Sequence, residues 1–171
     1  SMTVRENVQM ALMSHHHRIH DLFSRAAIMF FDEADALLEK VAMRDQATRA
    51  CSELAYGDLK RLEFAIALAH EPALLLMDEP TAGMAPSERT ALMQLVAEIV
   101  GAGQVSVVFT EHDMDVGFAH ADRILVLNRG QLIAEGAGED IRSNELVKEV
   151  YLGGGSVLSG QHASDHGRAD A

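Results

Sequence analysis

The stretch LLLMDEPT, residues 74–81, joins an apolar run to two adjacent carboxylates and closes on a proline. With Ala73 ahead of it, the run shows no polar alternation as far as Met77. That pattern predicts a strand over 73–78 covered on both faces by helices, and so a parallel sheet in an α/β protein. Ligands of such sheets gather at the carboxyl ends of the strands, which puts Asp78 and Glu79 where chemistry is expected. A carboxylate there can hold Mg²⁺ directly or through water, and a second can polarise an attacking water; these are the two carboxylate tasks of nucleotide hydrolysis. An acidic turn or helix cap after a strand is the plainer alternative, so the rest of the chain has to decide.

Composition sets the outer bounds. The chain has 171 residues, 48% of them hydrophobic, enough for one core or one core with a small subdomain. Its 14 basic and 26 acidic residues give a net charge of -12, which argues against a duplex nucleic-acid partner but not against local phosphate recognition. Cys51 is the lone cysteine, so no internal disulfide can form and a reducing compartment is expected. No apolar run is longer than AAIMFF at 26–31, and the opening SMTVRENVQ is too polar for a signal peptide. The expectation is an intracellular protein that meets a membrane only through a partner.

Along the chain, Thr3 followed by Glu6 is a capping-box pattern, and Val4, Val8, Ala11 and Leu12 then recur at helical spacing. A less regular stretch precedes a second helical pattern from Asp32 to about Met43. RDQATRACSEL, 44–54, reads as a loop leading to a third helix that begins near Gly57. After Pro72 the pattern alternates between strand and helix. A helix is expected from about Pro86 to Val100, a strand over 105–109, a short helix from Met114 to Ala119, a strand over 123–127, and an Asn-Arg-Gly turn into a hairpin partner over 131–136. A last helical segment is expected from about Glu139 to Leu152. The glycine-rich remainder, 153–171, has no period and reads as a disordered tail.

Three further features line up with the carboxylate pair. LAYGDLKRLE places Gly57 at a helix start, where free backbone N–H groups and the helix dipole favour an anion, although ordinary helix starts use glycine too. The strand at 105–109 runs into TEHD, which sets His112 at a strand end where an imidazole can donate to a phosphate oxygen; a structural histidine is the other reading. AGMAPSE, 82–88, follows the acids as a tight loop of small residues.

In this order, the motifs resemble the ATP-binding subunit of an ABC transporter over nearly the whole chain through Gly153. LAYGDLKRLE stands where the family has its L-S-G-G-Q signature, LLLMDEP where it has the Walker B strand, AGMA where it has the D-loop, and TEHD where it has the switch histidine. The wording around Tyr56-Gly57-Asp58, EPTAGMAP, TEHDMDV and EVYLG is similar to the branched-chain amino acid importer branch. The resemblance implies a P-loop NTPase-like, RecA-type α/β core with a helical signature subdomain. Residues 1–70 would be that subdomain, 71–136 the second half of the core and 137–152 a C-terminal helical segment. It further implies ATP and Mg²⁺ as cofactors, Asp78 as a metal ligand, Glu79 as the general base for water, and His112 as a γ-phosphate contact. Leu54, Ala55, Tyr56, Gly57 and Asp58 would meet an ATP held by a second ATP-binding subunit in a head-to-tail dimer, with Ala82, Gly83, Met84 and Ala85 as the D-loop. Permease subunits would be the other partners, holding a cytoplasmic protein at the inner face of the cell membrane.

Some positions depart from the family pattern. Ala55 replaces the usual serine, Tyr56 the first glycine, Asp58 the glutamine, and Ala85 stands where the D-loop often has aspartate. A phosphate-cradling loop, G-x-x-x-x-G-K-[ST], is absent: lysine occurs only at 40, 60 and 148, never after glycine. The glutamine loop and the adenine-stacking aromatic that the family carries before its helical region are also missing. The resemblance therefore implies a C-terminal portion of the cassette, inactive alone, with an uncovered sheet edge. LSGQ at 158–161 is one glycine short of the signature and is read as chance. His15, His16, His17 and His20 read as a solvated segment rather than a metal site, and LFSRAAIMFF at 22–31 as packing of the helical region, part of which the resemblance implies would dock on a permease. A non-catalytic interaction module and a non-transport ABC ATPase are the competing classes; the short helical region without heptads counts against the latter.

Overall fold

Thr3 starts the first helix, α1 (Val4–His15), in the manner the sequence predicts. Its hydroxyl accepts from the Glu6 N–H at 3.3 Å, and its own N–H donates to the Glu6 carboxylate at 2.7 Å, so two otherwise unpaired backbone donors are satisfied. Thr3→Ala is expected to destabilise the chain by about 1 kcal/mol in urea unfolding near neutral pH. The hydrogen bonds from the Thr3 backbone and then its side chain hold the Glu6 carboxyl below its ordinary value. A depressed carboxyl stabilises above its unfolded value and loses that contribution as pH falls through the folded one. Glu6→Gln should therefore flatten the acid side of the stability profile, and an unchanged profile between neutrality and about pH 3 would contradict this role.

The computed structural model describes residues 2–17, 29–103 and 105–152. They belong to two compact units, Ser1–His112 and Asp113–Ala171. The expected tail over 153–171, the LSGQ segment, His20 and most of LFSRAAIMFF lie outside the described residues.

In the first unit, α1 packs with α2 (Phe31–Lys40) and α3 (Tyr56–Leu68) around Val4, Val8, Leu12, Ala34, Leu38, Leu62 and Ala65. Arg5 ties α1 to α2, its Nε 2.6 Å from Asp35 Oδ1 and its guanidinium 4.1 Å over the Phe31 ring. The second helix ends at Lys40, earlier than the periodicity suggests, because the chain turns through Val41 and a left-handed Ala42 (φ 54°). The segment expected as plain loop contains two 3₁₀ turns, Arg44–Gln46 and Cys51–Glu53. The N–H groups of Val4 and Arg5 donate to the carbonyls of Arg49 and Ala47 at 3.0 and 2.9 Å, so the loop is fastened along the first turn of α1.

Strands β1 (Leu74–Asp78) and β2 (Ser106–Thr110) pair in parallel, Leu74 opposite Ser106 and Asp78 opposite Thr110, with α4 (Pro86–Gly101) as the crossover. Leu92, Leu95 and Val96 of α4 enter the same core, and Leu75, Met77 and Val107 pack against it. The expectation of a strand covered on both faces is corrected here. Burial alternates along β1, and Leu74 and Leu76 remain 52% and 71% exposed, with Val108 of β2 beside them on the open face. A pleated strand sends successive side chains to opposite faces, and among the described residues the helices cover one of them. Both strands also present an unpaired outer edge among the described residues, as the sequence leads one to expect.

The second unit holds a short helix, α5 (Met114–His120), and an antiparallel hairpin of β3 (Ile124–Asn128) and β4 (Gln131–Gly136). Arg129 and Gly130 both have positive φ, 49° and 78°, the geometry of a two-residue hairpin loop that matches strand twist. The expected single helix after it is broken: α6 (Gly138–Ser143) stops, and α7 (Glu145–Val147) starts under an Asn144 cap before running into the wide turn Lys148–Leu152. Asn144 Oδ1 accepts from Leu146 and Val147 N–H at 3.0 and 3.2 Å, a local bond that competes with helix continuation. Val126, Ile141 and Val147 form this unit's core.

Candidate functional site

The residues singled out at the end of LLLMDEPT lie where parallel pairing puts them. Because β1 and β2 run in the same direction and in register, their carboxyl ends coincide, and residues 78–81 face residues 110–112. The Thr110 hydroxyl donates to Asp78 Oδ1 at 2.5 Å, which fixes the carboxylate's rotation and leaves the second oxygen uncommitted to Thr110. The Glu79 N–H meets the Thr110 carbonyl at 3.1 Å and its hydroxyl oxygen at 3.2 Å. His112 Nδ1 lies 3.5 Å from Glu79 Oε1, an ion pair whenever the imidazole is protonated. The sequence motifs at 78–79 and 112 are thus brought together by the sheet.

Glu79 has φ 44°, in the left-handed region, immediately before Pro80. A non-glycine residue in that conformation costs on the order of 1–3 kcal/mol and persists only where its surroundings over-determine it. Here the N–H is held by Thr110, the carbonyl accepts from Ala82 N–H at 3.1 Å, and Pro80 is buried. The kink turns the Glu79 side chain out of the strand's alternation and towards His112.

The signature segment and the small-residue loop also meet. Gly57 is buried in the first turn of α3, and a Cβ there would lie 3.2 Å from Glu88 Oε1 and 3.5 Å from Met84 Cε. The missing side chain therefore serves close packing against the start of α4, a reason the sequence reading did not contain. Ala55 occupies the N-cap without a side-chain hydrogen bond, so the first N–H groups of α3 are not capped by it. Leu54 and Asp58 are half-buried, and Tyr56 is exposed, its ring edge near Gly83 (φ 76°). Ala82 is half-buried, Met84 is fully packed, and Ala85 donates its N–H to Glu88 Oε2 at 3.1 Å.

Sequence reasoning missed Thr110, Thr81 and Glu111. Glu111 Oε1 accepts from the Thr81 hydroxyl at 2.7 Å and from its N–H at 3.1 Å, while Oε2 is buried with no hydrogen-bond partner among the described residues. The signal was present as polar residues flanking both motifs, Thr81 after the acids and Thr110-Glu111 before the histidine. Pairing across some thirty positions is not a local pattern, so nothing in the sequence joined them.

Other candidates carry less. His15 lies 5.0 Å from His16 and 5.9 Å from His70 between ring centroids, and His16 stacks on Phe30, yet no group of three or more ligand-type residues is placed to hold a metal among the described residues. Burial, and then the charge of Glu6, pushes the Cys51 thiol up, away from thiolate chemistry. Asp78 fits the manner in which Mg²⁺ is held, by one or two carboxylates with waters and substrate phosphates completing the shell. The chain's own share of such a site would be that carboxylate, oriented by Thr110. No described helix is long and apolar enough to cross a membrane.

Comparison with known proteins adds to this geometry. Residues 1–82 match the family model for ABC transporters, and residues 131–157 match that for branched-chain amino acid ATP-binding cassette transporters. The high-affinity branched-chain amino acid transport ATP-binding protein LivG of Salmonella typhimurium is 40% identical over 131 residues, covering 77% of this chain and 51% of the relative. BraF of Pseudomonas aeruginosa, described in the same words, is 37% identical over 131 residues with the same coverage. The chain thus spans about half the length of the curated relatives it matches. Among solved structures, the ADP conformation of an ATP-binding cassette of an ABC transporter superposes with a TM-score of 0.72 at 29% identity, covering 89% of this chain and 63% of that one.

Proposed function

Because this chain belongs to the ATP-binding cassette family of ABC transporters, we propose that it forms the signature and water-activating half of the ATP-binding subunit of a branched-chain amino acid importer. The observation that carries the reading is the convergence of Asp78, Glu79 and His112 at coincident strand ends. In this proposal Glu79, turned out by its left-handed backbone, takes the proton of the attacking water. His112 donates towards the terminal phosphate, and Thr110 keeps the Asp78 carboxylate rotated to meet the cation. Mg²⁺, when bound with the nucleotide, supplies neutralisation of the charge that develops on the phosphate oxygens. The N-terminal turn of α3, Leu54 to Asp58, with the 82–85 loop beside it, faces the nucleotide of a second subunit, and permease subunits hold the assembly at the inner face of the membrane. The chain's 171 residues contain no Gly-Lys-Ser/Thr loop, so phosphate cradling is assigned to residues outside them.

A hybrid tests this. Joining to this intact chain the part of Salmonella LivG that it does not match, in cells lacking their own LivG, is expected to restore energy-dependent leucine uptake. A folded, expressed hybrid that restores none would overturn the importer reading, and uptake of other solutes in its place would overturn the substrate class.

A further inference from the structure

We propose that Glu111 is a positioning residue for the Glu79–His112 pair, clamping the loop that bears the histidine to the turn that bears the acid through Thr81; this rests on the function proposed above and deepens it. The pair cannot hold itself in place. The His112 side chain is 73% exposed and that of Glu79 50%, so their attraction across 3.5 Å is weakened by solvent, and each follows the end of a strand rather than lying within it.

Beside the pair lies a better anchor. Thr81 is only 1% exposed, and both its donors, N–H and hydroxyl, converge on one oxygen of Glu111 at 3.1 and 2.7 Å. A contact made to backbone and side chain together fixes the turn in position and orientation. A carboxylate acceptor makes both bonds stronger than neutral ones. The other oxygen, Oε2, is buried and has no partner among the described residues. A surface glutamate free to choose would turn that oxygen to water, since burying it without a donor is unfavourable. Its inward pose is what the Thr81 contact maintains.

The clamp is flanked by rigid points. Asp78 is the register partner of Thr110, and the hydroxyl of Thr110 binds its carboxylate, one residue before Glu111. Pro80 is buried one residue before Thr81, and Met84 is packed in the core a turn later. Between these points the strained Glu79 has few backbone torsions left, and the exposed His112 directly follows the clamped Glu111. General-base chemistry is sensitive to displacements well under an ångström, and a short buried clamp is a direct way to limit them. Glu111 itself does not reach the reacting atoms.

The test uses two readouts. In the intact chain, Glu111→Ala is expected to speed hydrogen exchange at the Thr81 amide about tenfold and to shift the His112 ring resonances, while core amides such as Leu38 stay unchanged. In the LivG hybrid, Glu111→Ala and Thr81→Val should each lower kcat for ATP about tenfold with KM unchanged. The double variant should be no worse than either single one, and Glu111→Gln, which keeps an acceptor for Thr81, should recover most of the rate. Unaltered Thr81 exchange, unmoved His112 resonances, a kcat within about twofold of the parent, or losses that multiply in the double variant would each overturn the proposal. An unsubstituted hybrid without turnover would instead sink the function assigned above, and the exchange and resonance measurements on the chain itself would then decide the clamp.

Discussion

Glu79→Gln in the LivG hybrid is expected to lower steady-state ATP turnover by about 10²–10⁴-fold while leaving the KM for ATP unchanged. Glutamine keeps the size of the side chain and its place beside His112 but cannot take a proton, so nucleotide binding survives and the chemical step does not. The left-handed backbone at Glu79 and its ties to Thr110 are main-chain features, and the substitution leaves them intact. The 171-residue chain alone is expected to show no turnover, since it contains no glycine-lysine pair to cradle phosphate. Hydrolysis by the chain alone that Glu79→Gln abolished would contradict that expectation. A hybrid whose rate fell less than about tenfold would remove Glu79 from the role of base.

Leu38→Ala is expected to destabilise the first unit by about 2–5 kcal/mol, whereas Leu76→Ala should change it by less than about 0.5 kcal/mol. Leu38 has no exposed surface and sits among α1, α2 and α3, so truncating it leaves a cavity that rigid helices cannot close. Leu76 is 71% exposed on the open face of β1, and its methyl groups have few protein neighbours to lose. Urea unfolding of both variants against the parent decides it, and comparable shifts would mean that the open face is packed in solution. Polar replacement at Leu74 and Leu76 should in addition reduce self-association, because an uncovered apolar strand invites pairing.

What could be read in advance follows the range of the forces involved. The Thr3–Glu6 capping box, the Pro86 start of α4 and the Asn-Arg-Gly hairpin turn are satisfied within a few residues, and each forms as its local chemistry dictates. The break at Asn144, where one helical segment is expected from about Glu139 to Leu152, is equally local: the Asn144 side chain caps a new helix start. At the site, Asp78, Glu79 and His112 were visible as motifs at strand ends. Thr81, Thr110 and Glu111 were not, because their meaning comes from hydrogen bonds to partners about thirty positions away. Gly57 was legible as a helix start and illegible as the place where Glu88 and Met84 come close.

The sequence by itself determined the strand that ends in two acids, the helices around it, the likeness to the ATP-binding cassette, and the absence of a phosphate-cradling loop from these residues. These depend on residue type, order and spacing, which a chain carries unfolded. Only the tertiary structure decided that one face of LLLM is open among the described residues, that Glu79 is turned out by a left-handed backbone, and that Glu111 grips Thr81 beside it. A continuous apolar run looks the same whether one face or both is covered. Which face is buried, and which polar atoms meet, depends on what packs across the sheet, and that is fixed only when distant segments come together.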